Sequence, residues 1–174
     1  MPSAIRHLHR EDLIQVQRLI GQQNNMVLYP PYTYWMMSQY FSGTSLVMEL
    51  SGKIVAYLAA LPAQDHNILF IWQLIVCPGY RGVFRGKSML EKIVDIARRD
   101  GYRAIQFTIR PDNAKVRNLI LRMGPRHGAT FRKIAADSID DPWSQEKIPV
   151  EIYQYDLATH VPDTPPIDAV PLEG

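Results

Sequence analysis

The sequence predicts a single domain of the mixed α/β (α+β) class, with one central sheet and helices on both of its faces. Three observations support this prediction. The chain has 174 residues, 47% of them are hydrophobic, and strand-like and helix-like apolar patterns alternate along it. A chain of this length is expected to form one domain whose core needs neither a metal nor a disulfide. The predicted order is two helices, three strands, a helix, a strand, a helix and two strands.

The first half of the chain predicts two helices and a hairpin. Acidic residues open a segment with one apolar face that ends at Gly21, a pattern typical of a helix. A pair of prolines precedes a second, short helix predicted over residues 32–41. Strands are predicted over 44–50 and 53–60, because Ser51-Gly52 between them is a turn sequence at hairpin spacing.

The second half predicts the rest of the sheet and two further helices. Residues 68–76 are apolar except for Gln73, which predicts a strand buried on both faces. A glycine-bearing loop precedes a helix predicted over 87–99, whose apolar residues recur at helical spacing. The remaining predicted elements are a strand over 103–109, a helix over 113–122 and strands over 129–137 and 149–157.

Charge is distributed unevenly along the chain, although the net charge is only +2. Residues 81–133 contain 14 Lys or Arg and four Asp or Glu, an excess of ten positive charges. Residues 134–174 contain one Lys and nine acids. The central segment is therefore either an attractive surface for a polyanion or a solvated helical face. Because no recognised motif accompanies these bases, nucleic acid is not an expected partner.

Residues 158–174 contain four prolines, three acids and no basic residue. Such a segment does not fill a core, so we expect a disordered tail after a domain formed by residues 1–157. The single cysteine, Cys77, excludes an internal disulfide and suits a reducing compartment. No apolar run approaches the ~20 residues of a membrane span and no signal core opens the chain, so we expect a cytoplasmic protein without a membrane partner. The histidines lack metal-ligand spacing, so no metal is expected.

The most specific stretch is IVCPGYRGVFRGKSML, residues 75–90, where a predicted strand ends, a basic loop follows and a helix begins. Loop amides and the helix N-terminus suit a phosphate or diphosphate, because unpaired N–H groups converge there at the positive end of the dipole. The stretch resembles the acyl-CoA loop of GNAT acetyltransferases, Arg/Gln-x-x-Gly-x-Gly/Ala, with Arg81 and Gly86 in the first and last positions. Phe84 replaces the middle glycine, and a side chain there crowds the diphosphate or changes the loop path.

This resemblance implies one GNAT-type domain with a mixed, mostly antiparallel sheet of about six to seven strands. It also implies an N-acyltransferase that moves an acyl group from a pantetheine thioester to the amine of a small molecule. A backbone amide at the splayed end of the fourth strand is expected to stabilise the thioester oxyanion. The residues that the resemblance assigns to the donor are Ile75, Val76, Cys77, Arg81, Gly82, Val83, Phe84, Arg85, Gly86, Lys87 and Asn113.

Two positions in the helix predicted over 113–122 correspond to functional positions of the family. In the family, the asparagine that opens the later helix contacts the pantetheine arm, and Asn113 fits that place, although Asn is also a common N-cap. Seven residues on, many members carry a tyrosine that protonates the departing thiolate, whereas this chain has Ile120. Tyr32, Tyr34, Tyr153 and Tyr155 are the alternative acids.

Two further segments, YTYWMMSQYFSGTSLVMELSGKIVAYL and NILFIWQLIV, resemble diaminobutyrate acetyltransferases, a branch of the same superfamily. The similarity covers roughly residues 10–157. The matching residues are Tyr32, Tyr34, Phe41, Thr44, Ser45, Glu49, Phe70, Trp72 and Gln73. Val27 and Tyr29 stand where that branch has Asp and Asn. An apolar pair does not neutralise a second ammonium group, so the sequence predicts an acceptor other than L-2,4-diaminobutyrate.

The chemistry requires a neutral amine, whereas an alkyl amine has a pKa near ~10.4 and is mostly protonated at pH 7. A base therefore contributes, directly or through water. Glu151 is the first candidate, and Asp65, His66 and Glu49 are the others. Trp72 is expected to form a wall of the acceptor pocket or to lie in the core. The residues expected to contact the acceptor are Tyr32, Tyr34, Glu49, Trp72 and Glu151.

Alternative functions remain open at this point. The donor is acetyl-CoA or another acyl-CoA, or else an acyl group on the phosphopantetheine of an acidic carrier protein. The basic central segment and the missing loop glycine motivate the carrier-protein alternative, which would suit the biosynthesis of a specialised metabolite. A non-catalytic acyl-CoA-binding module is the third alternative. A homodimer is expected only by analogy with the family.

Overall fold

A computed structural model of the protein describes residues 3–23, 27–80, 85–121, 130–141 and 144–157. The loop residues Arg81, Gly82, Val83 and Phe84 lie outside these ranges, as does the expected tail over 158–174. The strands are β1 Ser3–His7, β2 Ser45–Leu50, β3 Lys53–Pro62, β4 Ile68–Val76, β5 Ala104–Ile109, β6 Thr130–Asp140 and β7 Lys147–Asp156. The α-helices are α1 Leu13–Gly21, α2 Pro31–Tyr40, α3 Arg85–Arg99 and α4 Ala114–Leu121.

The strands form one sheet in the order β1-β2-β3-β4-β5-β7-β6. Every neighbouring pair is antiparallel except β4 and β5, which are parallel. The parallel pair is joined through α3, as a parallel connection requires a crossover. The predicted α+β class, with a mixed and mostly antiparallel sheet, is confirmed.

The N-terminal segment differs from the prediction in one missing strand and one wrong helix start. The sequence reading missed β1, whose five residues pair with β2 at the edge of the sheet. The acidic residues Glu11 and Asp12 form a separate 3-10 turn, Arg10–Asp12, and α1 begins only at Leu13. A five-residue polar strand has too little alternation to be read without its partner.

The sheet separates two cores. On one face, here called the α1/α2 face, helices α1 and α2 cover a cluster that includes Val16, Ile20, Tyr34 and Tyr57. On the other, the α3/α4 face, the predicted apolar stripe of α3 packs against strands β2 to β5 and β7. Helix α4 lies beside α3 on that second side.

Strands β4 and β5 separate towards their carboxyl ends. They pair only from Ile68 to Ile71 on β4, against Ala104 to Phe107 on β5. Beyond these pairs β4 stays bonded to β3, whereas β5 stays bonded to β7. We call the resulting opening between β4 and β5 the splay. Ligands on the two faces of the sheet can meet there.

A β-bulge in β4 lies at the start of the splay. Gln73 pairs with Ala59 and Ile71 pairs with Ala60, so Trp72 has no partner of its own on β3. An extra residue in a strand re-aims the side chains around it. Ile71 lies in the core of the α3/α4 face and Trp72 packs on the α1/α2 face; after the extra residue, Leu74 rather than Gln73 shares the face of Ile71.

The hydroxyl of Tyr57 is a buried polar group without a hydrogen-bond partner among the described residues. Tyr57 is fully buried. Burial raises the pKa of this hydroxyl well above its usual range. Because an unpaired buried hydroxyl costs about 1–3 kcal/mol, Tyr57→Phe is expected to raise the melting temperature by a few degrees. Calorimetry would measure this change.

Tyr34→Phe is the matched control for Tyr57→Phe. Tyr34 is equally buried, but its Oη accepts a hydrogen bond from the amide of Tyr29 at 3.1 Å. Removing that oxygen leaves the amide without its partner, so Tyr34→Phe is expected to lower the melting temperature. Equal losses in both variants would mean that Tyr57 has a partner and would contradict the prediction.

Candidate active site

The backbone of β4 presents amides to the splay. The amide of Cys77 donates to the carbonyl of Val55 on β3 at 2.8 Å. Because N–H directions alternate along a strand, the amides of Leu74 and Val76 point the other way, towards the β5 side. Of the three strand residues that the sequence assigned to the donor, Val76 therefore directs its amide to the splay, and Ile75 and Cys77 direct theirs to β3.

The N-terminus of α3 begins where the donor loop ends. Gly86 is buried in the first turn of this helix. The side chain of Lys87 is only 14% exposed, and its Nζ lies 3.4 Å from Glu91 one turn further on. Much of its charge is therefore balanced within the helix. The first-turn amides of a 15-residue helix still offer a site for an anion at this end.

Asn113 caps helix α4 through its side-chain oxygen alone. Its Oδ1 accepts a hydrogen bond from the amide of Val116 at 3.3 Å. Its Nδ2 makes no hydrogen bond with the described residues. The N-cap role and the predicted donor contact are thus compatible, because they use different atoms of the carboxamide.

An aromatic pair lies on the α1/α2 face beside the splay. The rings of Tyr29 and Trp72 have centroids 4.8 Å apart at an interplanar angle of 46°. We call this pair the aromatic wall. Gln73 lies next to it, is 5% exposed, and donates from Nε2 to the carbonyl of Val27 at 3.4 Å. The Oε1 of Gln73 has no partner among the described residues.

The surface around the aromatic wall is apolar and exposed. Val27 is 63% exposed, Leu28 is 50% exposed and Tyr32 is 68% exposed. Tyr32 stacks on Trp35 with centroids 5.5 Å apart. Helix α2 carries no charged residue. Contiguous apolar surface of this kind marks a ligand or partner site in many proteins.

Glu151 lies on β7 opposite Ile109, at the β5 side of the splay and on the α3/α4 face. Its carboxylate accepts hydrogen bonds from Lys133 at 2.7 Å, from the hydroxyl of Tyr153 at 2.8 Å and from Arg117 at 3.0 Å. The bonds from Lys133 and Tyr153 are the main cause of a pKa lowered to about 2. A carboxylate with such a pKa is ionised throughout the neutral range and is a weak proton acceptor.

Three further candidates lie away from the splay. Glu49 is on β2, two strands from β4, where Arg6 holds it at 2.9 Å. Asp65 and His66 are exposed in the turn before β4, at the opposite end of that strand. Hydrogen bonds from the backbone and side chain of Asn67 lower the pKa of Asp65. The contacts between Asp65 and Asn67 form a turn. None of the three candidate residues reaches the aromatic wall.

Tyr32, Tyr34 and Trp72 do come together around one region. Tyr34 lies beneath the wall and holds the amide of Tyr29, and Tyr32 lies on the exposed rim. Sequence reasoning gave no role to Gln73 or Leu74. The isolated polar residue in an apolar strand was the available signal for Gln73, whereas the direction of the Leu74 amide depends on strand register alone.

The described residues show neither a metal-binding cluster nor a membrane-spanning helix. In the ranges that the structure describes, no three His, Cys, Asp or Glu side chains are grouped so as to hold a metal ion. The helices within those same ranges are too short or too polar to cross a membrane.

Comparison with known families decides the classification. The model of the acetyltransferase (GNAT) family matches residues 5–124, well over half of the chain. The chain belongs to the GNAT acetyltransferase family. The resemblance inferred from the donor loop is therefore confirmed.

Individual relatives of this GNAT protein share 30% or less of their aligned residues with it in the two comparisons that follow. The L-2,4-diaminobutyric acid acetyltransferase of Nocardia farcinica is 27% identical over 123 residues, which span 70% of this chain and 64% of the relative. The enzyme of the same name from Virgibacillus pantothenticus is 30% identical over 118 residues, 67% of this chain and 74% of the relative. The match thus spans somewhat under two thirds of the first relative and about three quarters of the second.

Solved structures share the fold of this GNAT protein. Diaminobutyrate acetyltransferase from Paenibacillus lautus, determined with L-2,4-diaminobutyric acid and coenzyme A, superposes with a TM-score of 0.77 at 22% identity. The superposition covers 89% of this chain and 95% of that one. The ribosomal-protein-S18-alanine N-acetyltransferase of Escherichia coli gives 0.75 at 15% identity, covering 93% and 98%. At these identities the comparison establishes the fold.

Proposed function

We propose that this GNAT protein transfers an acetyl group from acetyl-CoA to the amine of a small molecule, with the reaction taking place in the splay. The observation that carries the proposal is the arrangement around β4. Outward-facing amides of this strand lie between an anion site at the N-terminus of α3 and the aromatic wall on the other face. A thioester and an amine can therefore approach the same opening from opposite sides of the sheet.

The donor is expected to use the α3/α4 side. Its phosphates suit the first-turn amides of α3, and its pantetheine arm suits the unused Nδ2 of Asn113. The thioester carbonyl then faces the amide of Leu74, which points towards the β5 side. A fixed N–H donor stabilises the negative charge that develops on this oxygen and is typically worth about 10²- to 10³-fold in rate.

The acceptor amine is expected to arrive from the α1/α2 side, past the aromatic wall. Its nitrogen attacks the carbonyl carbon, the C–N bond forms, and the C–S bond breaks to release coenzyme A. The amine loses one proton to water, and the thiolate takes up one. The described residues around the aromatic wall include no carboxylate, so the amine is expected to enter already neutral.

Titration with acetyl-CoA tests the donor assignment. Calorimetry is expected to show micromolar binding, and release of free thiol with a panel of amines is expected to show transfer. Absence of binding, together with turnover of an acyl-loaded carrier protein, would overturn acetyl-CoA as the donor. Binding without transfer to any amine would favour a non-catalytic acyl-CoA-binding module.

Asn113→Asp tests the predicted donor contact while keeping the N-cap of helix α4. Aspartate is as good an N-cap as asparagine, so helix α4 and the melting temperature should be unchanged. The variant lacks the Nδ2 donor and adds a negative charge near an anionic ligand. We therefore expect acetyl-CoA affinity to fall about tenfold or more. Unchanged affinity would remove Asn113 from the donor site.

A further inference from the structure

We infer that the acceptor is a primary monoamine with an aromatic or other apolar body. Its body would lie against the aromatic wall, and Gln73 Oε1 would accept a hydrogen bond from its nitrogen. This inference rests on the proposed function and narrows the substrate class of the same site. It differs from the diamine substrate named for the relatives.

The distribution of carboxylates indicates that the acceptor carries at most one positive charge. Residues 1–157 contain 14 Asp and Glu, and all of them lie in ranges that the structure describes. None of these carboxylates makes a hydrogen bond or ion pair with residues 27–34, Trp72 or Gln73. The acids nearest in the chain to residues 27–34, Asp12 and Glu49, are both held by Arg6, and Asp65, the acid nearest to Trp72, accepts hydrogen bonds from Asn67. A second ammonium group would therefore find no counter-ion at the aromatic wall.

The energies involved favour the same conclusion. Removing an ammonium group from water without a partner costs several kcal/mol. Contact with the face of a tryptophan returns only about 0.5–2 kcal/mol. Apolar groups, in contrast, gain roughly 25 cal/mol for each Å² that they bury against such rings. The aromatic wall and its exposed rim thus select an apolar body rather than a second charge.

Gln73 supplies the polar contact that orients the amine. It is the second residue after the last β4–β5 pair, so it lies at the mouth of the splay. Its Oε1 is buried and unpartnered among the described residues, while Nε2 makes a long bond of 3.4 Å to Val27. An unpaired buried amide oxygen costs about 1–3 kcal/mol. An incoming amine N–H would remove that cost.

The test compares 2-phenylethylamine and several aromatic and aliphatic monoamines with L-2,4-diaminobutyrate. Acetyl-CoA is the donor, and free thiol release gives kcat/KM for each amine. We expect the best monoamine to exceed L-2,4-diaminobutyrate by at least 100-fold. Gln73→Met removes the amide oxygen at similar volume, so it should lower kcat/KM for that monoamine about tenfold without lowering the melting temperature.

A paired substitution tests the charge argument directly. Val27→Asp places a carboxylate beside the aromatic wall and should reduce the preference for monoamines at least tenfold. Ile139→Asp is the matched control, because it adds the same charge at a similarly exposed aliphatic residue on β6, three strands away from β4. The control should leave the preference unchanged.

The outcomes separate this inference from the proposed function. Equal or faster turnover of L-2,4-diaminobutyrate by the unmodified protein would overturn the inference and leave acetyl transfer intact. Acetyl-CoA binding without turnover of any monoamine would also overturn it. Absence of both acetyl-CoA binding and transfer would overturn the proposed function, and the inference would fall with it.

Discussion

Arg6→Ala is expected to lower the melting temperature by about 6–12 °C. The guanidinium of Arg6 contacts both oxygens of Asp12, at 2.7 and 2.8 Å, and the carboxylate of Glu49 at 2.9 Å. Asp12 is 5% exposed, so the variant leaves a buried carboxylate without its partner. Breaking such a pair costs about 3 kcal/mol, which corresponds to that range for a chain of this size. Arg10→Ala is the control, because Arg10 is exposed and forms no ion pair among the described residues.

The same variant should change the acid response of stability. Burial raises the pKa of Asp12, but the hydrogen bonds from Arg6 and from the amide of His9 outweigh it and hold the pKa below its usual value. The pair therefore stabilises the fold above pH ~4 and loses this contribution as the pH falls through the lowered pKa. Without Arg6, burial favours the neutral carboxyl, so the deficit of Arg6→Ala should shrink between pH 7 and pH 3.5. A deficit that is constant across this range would contradict the ion-pair account.

The logarithm of kcat/KM is expected to rise with pH at a slope of one, a 100-fold gain between pH 6 and pH 8. The amine reacts only when neutral, and its pKa lies near ~10. No described carboxylate or histidine contacts the aromatic wall to remove the proton. An enzyme base with a pKa near ~6.5 would add a second break and a slope of two below that pH. The measurement is a pH series with a saturating concentration of acetyl-CoA.

Glu151→Gln distinguishes the two explanations of that pH series. A carboxylate whose pKa is about 2 is ionised from pH 5 to pH 9, so its removal should leave the slope unchanged. The rate itself can change, because Arg117 on α4 loses an anchor 3.0 Å away. A change in slope would identify Glu151 as the base and would contradict the prediction.

Local signals in the sequence predicted most of the fold. The hairpin is an example, because Ser51 and Gly52 both adopt positive φ, at 49° and 77°, as the turn between β2 and β3 requires. Helix α3 is another, since its apolar stripe is continuous. Strand β1 could not be found in this way, because its stability comes from pairing with β2 and from the contacts of Arg6 with residues up to 43 positions away.

The site was only partly predictable for a related reason. The residue types at Trp72 and Tyr34 indicated an acceptor region, and a glycine-bearing loop indicated the donor. The pKa of Glu151 depends on Lys133 and Tyr153, which belong to the same hairpin, and on Arg117 from another element. The neighbours of an ionisable group decide whether it can act as a base, and a linear sequence does not show them.

The unpaired position in β4 also affects how this scaffold can change. Trp72 belongs to no cross-strand pair, so its side chain can be exchanged without altering the partner of any other strand residue. Ile71 and Gln73 on either side keep the ladder with β3. Acceptor preference can therefore change at residue 72 while the strand pairing stays constant. A saturation library at this one position would sample new acceptors without changing the strand register.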